Sequence, residues 1–112
     1  MNDIIEINGE KYSKINASNY CIIRCKNAGV HAGHVEYRKD GVLVLRDSRR
    51  LWRWWSDFSL SELAQTGIKK GKEDECKFAC VLPTLVLTEL DVCEVIPCSI
   101  VAKLSIQSIK NA

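Results

Sequence analysis

Residues 20–45 read Tyr-Cys-Ile-Ile-Arg-Cys-Lys-Asn-Ala-Gly-Val-His-Ala-Gly-His-Val-Glu-Tyr-Arg-Lys-Asp-Gly-Val-Leu-Val-Leu. Tyr20–Cys25 is a β-rich run, and Asn27-Ala28-Gly29 breaks it. His31–Tyr37 then alternates, Lys39-Asp40-Gly41 is a hairpin turn of the Asp-Gly kind, and Val42–Leu45 resumes as a continuous apolar strand. Strands joined by such short turns pair antiparallel, so this stretch predicts the core of a mostly antiparallel sheet.

Outward from it the pattern continues. Asp47-Ser48 interrupts, and Arg49–Trp55 follows as a further strand. Phe78–Leu82, Leu85–Leu87 after Pro83, and Val92–Ile96 ending at Pro97 supply two or three more. Upstream, Ile4–Ile7 is a short candidate strand closed by Asn8-Gly9. Between strands, Ser59-Leu60-Ser61-Glu62 has the form of a capping box. Phe58 and Leu63 hold the staple positions around it, and Gly67 supplies the left-handed stop, which predicts a helix over about 59–66. Lys69–Glu75 carries three lysines and three acids and reads as a solvated loop.

The tail, 99–110, fits a strand by the alternation of Ile100, Ala102, Leu104 and Ile106, and a helix by the Ser99 cap and the lack of any breaker. Helix is preferred. It would carry Ala102, Ile106 and Ile109 on one side and Ile100 and Leu104 on the other. A helix apolar on two sides needs two surfaces to pack on, so its second side is expected against a partner subunit. The reading is an α+β domain spanning 1–112. It has an N-terminal extension (1–19), a compact, sheet- or barrel-like β core (20–98) and a C-terminal helix (99–112).

Composition bounds the class. With 112 residues there is room for one core. Sixteen basic against fourteen acidic residues leave +2, too balanced for a protein held on nucleic acid by bulk charge. The N-terminus places acids where a secretory signal needs bases, and no run approaches the ~18 apolar residues of a membrane span, so a cytoplasmic protein is expected. Its six cysteines then read as thiols. Cys21/Cys25 and Cys76/Cys80 enclose strand-like rather than knuckle-like residues. Residues four apart on a strand lie about 13 Å from each other, too far to share one ion. No metal and no cofactor is expected; most of the cysteines read as small core residues.

The chemistry is concentrated in Arg46-Asp-Ser-Arg-Arg-Leu-Trp-Arg-Trp-Trp55, which holds four arginines and all three tryptophans. Along a regular strand Arg50, Trp52 and Trp54 share one face, and Arg49, Leu51, Arg53 and Trp55 the other. Arginine presents a planar fork to phosphate oxygens, and an indole offers a face on which a purine stacks. The run therefore suits a small phosphorylated base or single-stranded nucleic acid; the plainer reading is tryptophans in the core with solvated arginines. Arg24, at the end of the first strong strand, would add to the same surface. Gly29, with the glycine-bearing turn 27–33, would let loop amides cradle an anion, and His31 lies beside it. P-loop, nucleophile-elbow and zinc-protease motifs are missing, so binding without turnover is expected rather than catalysis.

The strings Tyr20-Cys-Ile-Ile-Arg-Cys-Lys-Asn-Ala-Gly-Val-His-Ala-Gly33, Asp47-Ser-Arg-Arg-Leu-Trp-Arg-Trp54, Ser59-Leu-Ser-Glu-Leu-Ala64 and Glu94-Val-Ile-Pro-Cys98, in that order and spacing, resemble the first described group of phage anti-Thoeris sponge proteins. The resemblance spans roughly positions 20 to 108. It implies binding, without cleavage, of a cyclic ADP-ribose isomer made by a bacterial TIR-domain immune enzyme. It also implies cyclic di- or trinucleotides as further ligands, a homodimer or higher homo-oligomer, and action in the cytoplasm of the infected host. The family's Arg-Arg-aromatic-x-Trp stretch falls on Arg49, Arg50, Trp52 and Trp54; the extra Trp55 and the many cysteines depart from its pattern. Nanomolar capture needs about −12 kcal/mol. Against an association cost of about 4–15 kcal/mol, arginines and an indole reach this only if pre-ordered and enclosed. The alternative is a small single-stranded nucleic-acid-binding protein using the same Arg/Trp strand.

Overall fold

The computed structural model describes residues 4–7, 10–13, 16–54 and 59–112, with side chains from residue 19 onward. Among the described residues eight strands occur in chain order: β1 (Ile4–Ile7), β2 (Glu10–Ser13), β3 (Asn16–Cys25), β4 (Val30–Lys39), β5 (Val42–Arg53), β6 (Lys77–Phe78), β7 (Leu82–Thr88) and β8 (Val92–Ser99). Helix α1 is Leu60–Thr66 and α2 is Ile100–Ser108. β1 and β2 form an antiparallel hairpin of their own. The other six strands make one antiparallel sheet in the order β8-β3-β4-β5, with β6 and β7 following one another along the far edge of β5. The fold is α+β, as the patterning predicts.

The central turn is Asp40-Gly41, both residues at positive φ (58° and 82°), and it pairs Lys39 with Val42. Three strands run through their expected breaks. Asp47-Ser48 does not end a strand: Asp47 takes φ 52°, and β5 offsets by one residue against β4 between Arg46 and Arg49. A bulge thus absorbs the break and bends the strand without cutting it. Pro83 and Pro97 lie within β7 and β8, which pair on one side only, so neither removes a ladder hydrogen bond that a second neighbour would need.

The edge strands β7 and β8 are joined by only the 3-10 turn Glu89–Asp91, so the sheet must curl until its two edges meet at that end. Inside the curl lie Cys21, Ile23, Cys25, Leu43, Leu45 and Leu87, the barrel-like part of the expectation. The outer face of the other half is covered by α1 and α2 over Tyr20, Ile22, Ala32, Leu51, Phe78 and Cys98.

Ser99 caps α2, its hydroxyl accepting from the Ala102 amide at 3.1 Å and donating to Gln65 O at 2.6 Å. As read from the sequence, Ala102, Ile106 and Ile109 are buried while Ile100 and Leu104 face outward; Val101, outside that reading, is exposed as well. Gly67 stops α1 at φ 82°. The capping box fails on one count. Ser59 holds the extended N-cap conformation, but its side chain makes no capping bond. Phe58, its staple partner, lies outside the described residues.

Four cysteines are buried, Cys80 and Cys93 are exposed, and none of the six is in a disulfide. Burial pushes the Cys21 thiol up to about 11 and Cys98 to about 12, so both stay protonated. No helix among the described residues is long and apolar enough to cross a membrane.

Candidate functional site

The four-residue connection Lys26–Gly29 between β3 and β4 organises one end of the sheet. Cys25 N donates to Gly29 O at 2.8 Å, and Gly29 closes the turn at φ 88°, a conformation that strains any side chain. Space is not what selects glycine here: an added Cβ would stand 3.7 Å from Arg50 Nε, an ordinary contact.

The loop amides do form an anion cradle, and the chain itself fills it. Asp91, between β7 and β8, accepts from Asn27 N, Asn27 Nδ2 and Ala28 N, each at 2.8 Å, and Lys26 N donates to its carbonyl at 2.7 Å. The Ala28 amide and then the Asn27 donors hold the Asp91 carboxyl below its usual range. The cradle expected around Gly29 is therefore occupied by an internal carboxylate. An aspartate 64 residues from its partner leaves no local trace in the sequence.

With its amides on Asp91, the loop turns the Ala28 carbonyl toward β5. Arg50 Nη2 donates to Ala28 O at 2.8 Å, and His31 Nε2 lies 2.8 Å from the same oxygen. A carbonyl only accepts, so Nε2 carries the hydrogen. His31 is 3% exposed. Burial, with the nearby Arg50 charge assisting, lowers its pKa despite the Ala28 bond, and the ring is held neutral near pH 7. Register puts Ile23, His31 and Arg50 in one row, facing the curled interior's rim.

The seven residues picked from the sequence separate into three places. Gly29, His31 and Arg50 come together, with Trp52 two positions farther along β5 and 59% exposed. Arg24 does not join them. It sits opposite Glu94 on β8, one residue out of phase with Ile23, and its Nε is tied to the Glu94 carboxylate at 2.6 Å.

Trp54 is also separated, because β5 offsets against β6 between Leu51 and Arg53. Regular alternation would keep Trp54 with Arg50 and Trp52; the offset turns it toward the core under the helices, where it packs half-buried. Trp55 lies outside the described residues.

Arg49 is the sharpest departure. It pairs with Ala32, whose small side chain leaves room on the helix-covered face, and is 2% exposed. Its guanidinium donates to Ala79 O (2.8 Å), Ile106 O (3.1 Å), Ile109 O (2.8 Å) and Asn111 Oδ1 (3.3 Å), and stands 5.3 Å from the centroid of the Phe78 ring. α2 has no basic residue in its last turn. Arg49 supplies from β5 the cation that the carbonyl end of a helix favours. Its donors are consumed there, and the exposed surface keeps Arg50 and Trp52.

Among the described residues, three clefts lie elsewhere. The first, about 370 Å³, lies between the Glu73–Lys77 segment and Ser108–Ala112; none of the three is lined by Arg50 or Trp52.

These features define a curled antiparallel sheet with two helices on one face and, at one end, an arginine held by a loop carbonyl two residues from an exposed indole. Residues 18–106 match the domain of unknown function DUF6948, and the chain belongs to that family. No curated protein and no solved structure matches the chain.

Proposed function

We propose that this protein binds, without cleaving, a compact phosphorylated purine ligand at the Arg50–Trp52 end of the sheet. Sequestration of a cyclic ADP-ribose isomer is the reading that the resemblance to anti-Thoeris sponges favours, with cyclic di- and trinucleotides as further ligands of the same chemistry. One observation carries the reading. Arg50 is exposed yet held at its Nη2 by Ala28 O, with no carboxylate paired to it among the described residues, and an exposed indole stands two positions away. The held fork leaves its remaining donors for phosphate oxygens, and the indole offers a stacking face worth about 1–3 kcal/mol per base.

In one chain this surface is open. Tight capture needs a wall, and a second copy of the chain provides one. Ile100, Val101 and Leu104 of α2 form an outward apolar stripe suited to self-association, with Val101 64% and Leu104 59% exposed. Cyclic ADP-ribose isomers and 3′,3′-cyclic dinucleotides serve as probes in equilibrium binding. The expected result is depletion of the probe from solution and its recovery unchanged after heat denaturation. Arg50→Ala abolishes uptake with the solution mass unaltered. A hydrolysed product would make the protein an enzyme. Affinity that climbs with oligonucleotide length and collapses with salt would favour single-stranded nucleic acid instead.

A further inference from the structure

Three features outside the proposed contacts converge on Arg50. Asp91 takes the amides of Asn27 and Ala28; those bonds fix the Asn27–Ala28 peptide, next to the Ala28–Gly29 peptide that carries Ala28 O; and that oxygen receives both Arg50 Nη2 and His31 Nε2. The chain of contacts runs from the β7–β8 connection, through the β3–β4 loop, to β5, each step at 2.8 Å. It meets the proposed ligand contacts only at its last member, Arg50.

We propose that Asp91 is a positioning residue for the anion site: by filling the amide cradle of the β3–β4 loop it aims the Ala28 carbonyl and thereby fixes the Arg50 fork toward solvent. The inference rests on the reading of Arg50 as the phosphate contact. The loop cradle already contains a carboxylate, so the anion contact at this end of the sheet falls to Arg50.

The sign of the effect makes the proposal testable. A carboxylate near an anion site should, by charge alone, weaken anion binding, so its removal should tighten it. A positioning role predicts the reverse. Asp91→Ala is expected to weaken cyclic ADP-ribose binding about tenfold, the equivalent of one lost charge-assisted contact. Asp91→Asn keeps an acceptor for the loop amides and is expected to recover part of the loss, which also covers the case in which Asp91→Ala does not fold.

A second measurement needs no ligand. In the free protein the Arg50 Nη2 proton resonances should be dispersed and slow to exchange with water, because Nη2 donates to Ala28 O, and should move to the position and exchange rate of an unrestrained arginine in Asp91→Ala. Glu94→Gln, which frees Arg24 on the other side of the sheet, should leave them in place. Tighter probe binding in either Asp91 variant, or an Arg50 resonance indifferent to Asp91→Ala, overturns the proposal. Wild-type protein that binds no probe, with the Arg50 resonance still responding to Asp91, would refute the ligand reading and leave the positioning intact.

Discussion

Replacing Arg49 by methionine separates a helix clamp from a ligand contact. The substitution keeps side-chain length and apolar stem but removes every donor. The carbonyls of Ala79, Ile106 and Ile109, the last two in buried bonds, then lose this donor, and Ile106 O keeps only the Ile109 amide at 3.4 Å. Hydrogen bonds to a charged group are each worth about 1.5–3 kcal/mol, and the desolvation of the guanidinium, no longer needed, offsets part of the sum. Removing one partner from a buried charged network typically costs about 3–5 kcal/mol, and the lower end fits here because the thioether can fill the space over Phe78. With an unfolding entropy of about 2.1 cal/mol/K per residue, a loss of about 3 kcal/mol in a chain of 112 residues lowers Tm by about 13 °C.

Urea unfolding followed by far-UV circular dichroism and by tryptophan fluorescence reads this directly, with an unchanged slope showing that the unfolded state is not involved. Arg49→Lys should recover up to about 1 kcal/mol through its charge at the end of α2, but not the forked bonds. The reasoning fails if Arg49→Met loses less than about 1 kcal/mol. It fails equally if the variant keeps full stability and loses the ligand, which would return this guanidinium to the binding surface.

Other perturbations probe other layers. Gly33→Ala places a Cβ 2.7 Å from Ser48 Cβ and 2.8 Å from its backbone Cα, opposite the Asp47 bulge, so a loss of about 1–3 kcal/mol is expected in the same unfolding assay. Burial lowers the His31 pKa, so unfolding binds a proton that the folded state refuses. Stability is therefore complete above the ordinary histidine pKa of about 6.5 and declines as pH falls from there toward the folded value. His31→Gln should flatten that part of the urea midpoint against pH, and an equal slope in wild type and variant would count against the buried neutral ring. Leu104→Glu, on the outward side of α2, should change monomer stability by no more than about 0.5 kcal/mol yet lower the mass seen by light scattering. An unchanged mass would remove α2 from the proposed self-association.

The comparison of pattern with structure turns on where information is local. The Asp40-Gly41 turn, the Gly67 stop, the Ser99 cap and the two-sided character of α2 are legible because each depends on residues within a few positions of one another. The strand breaks were less so. Asp47-Ser48 and Pro83 punctuate in sequence, yet pairing with β4 and β7 outweighs a local preference and converts the first into a bulge. That conversion matters for the site. One offset precedes Ser48 and another follows Leu51, and together they decide which members of the Arg/Trp run look outward.

By itself, then, the amino-acid order determined an antiparallel α+β protein and the stretch in which charge and aromatics are dense. Tertiary structure alone decided that Arg49 clamps a helix end, that Trp54 turns inward, that Arg24 pairs with Glu94 across the sheet, and that Asp91 occupies the loop cradle. Periodicity records which side of an element is apolar. A bulge shifts that phase, and a hydrogen bond spanning some 60 positions is set by how the sheet curls to bring its edges together.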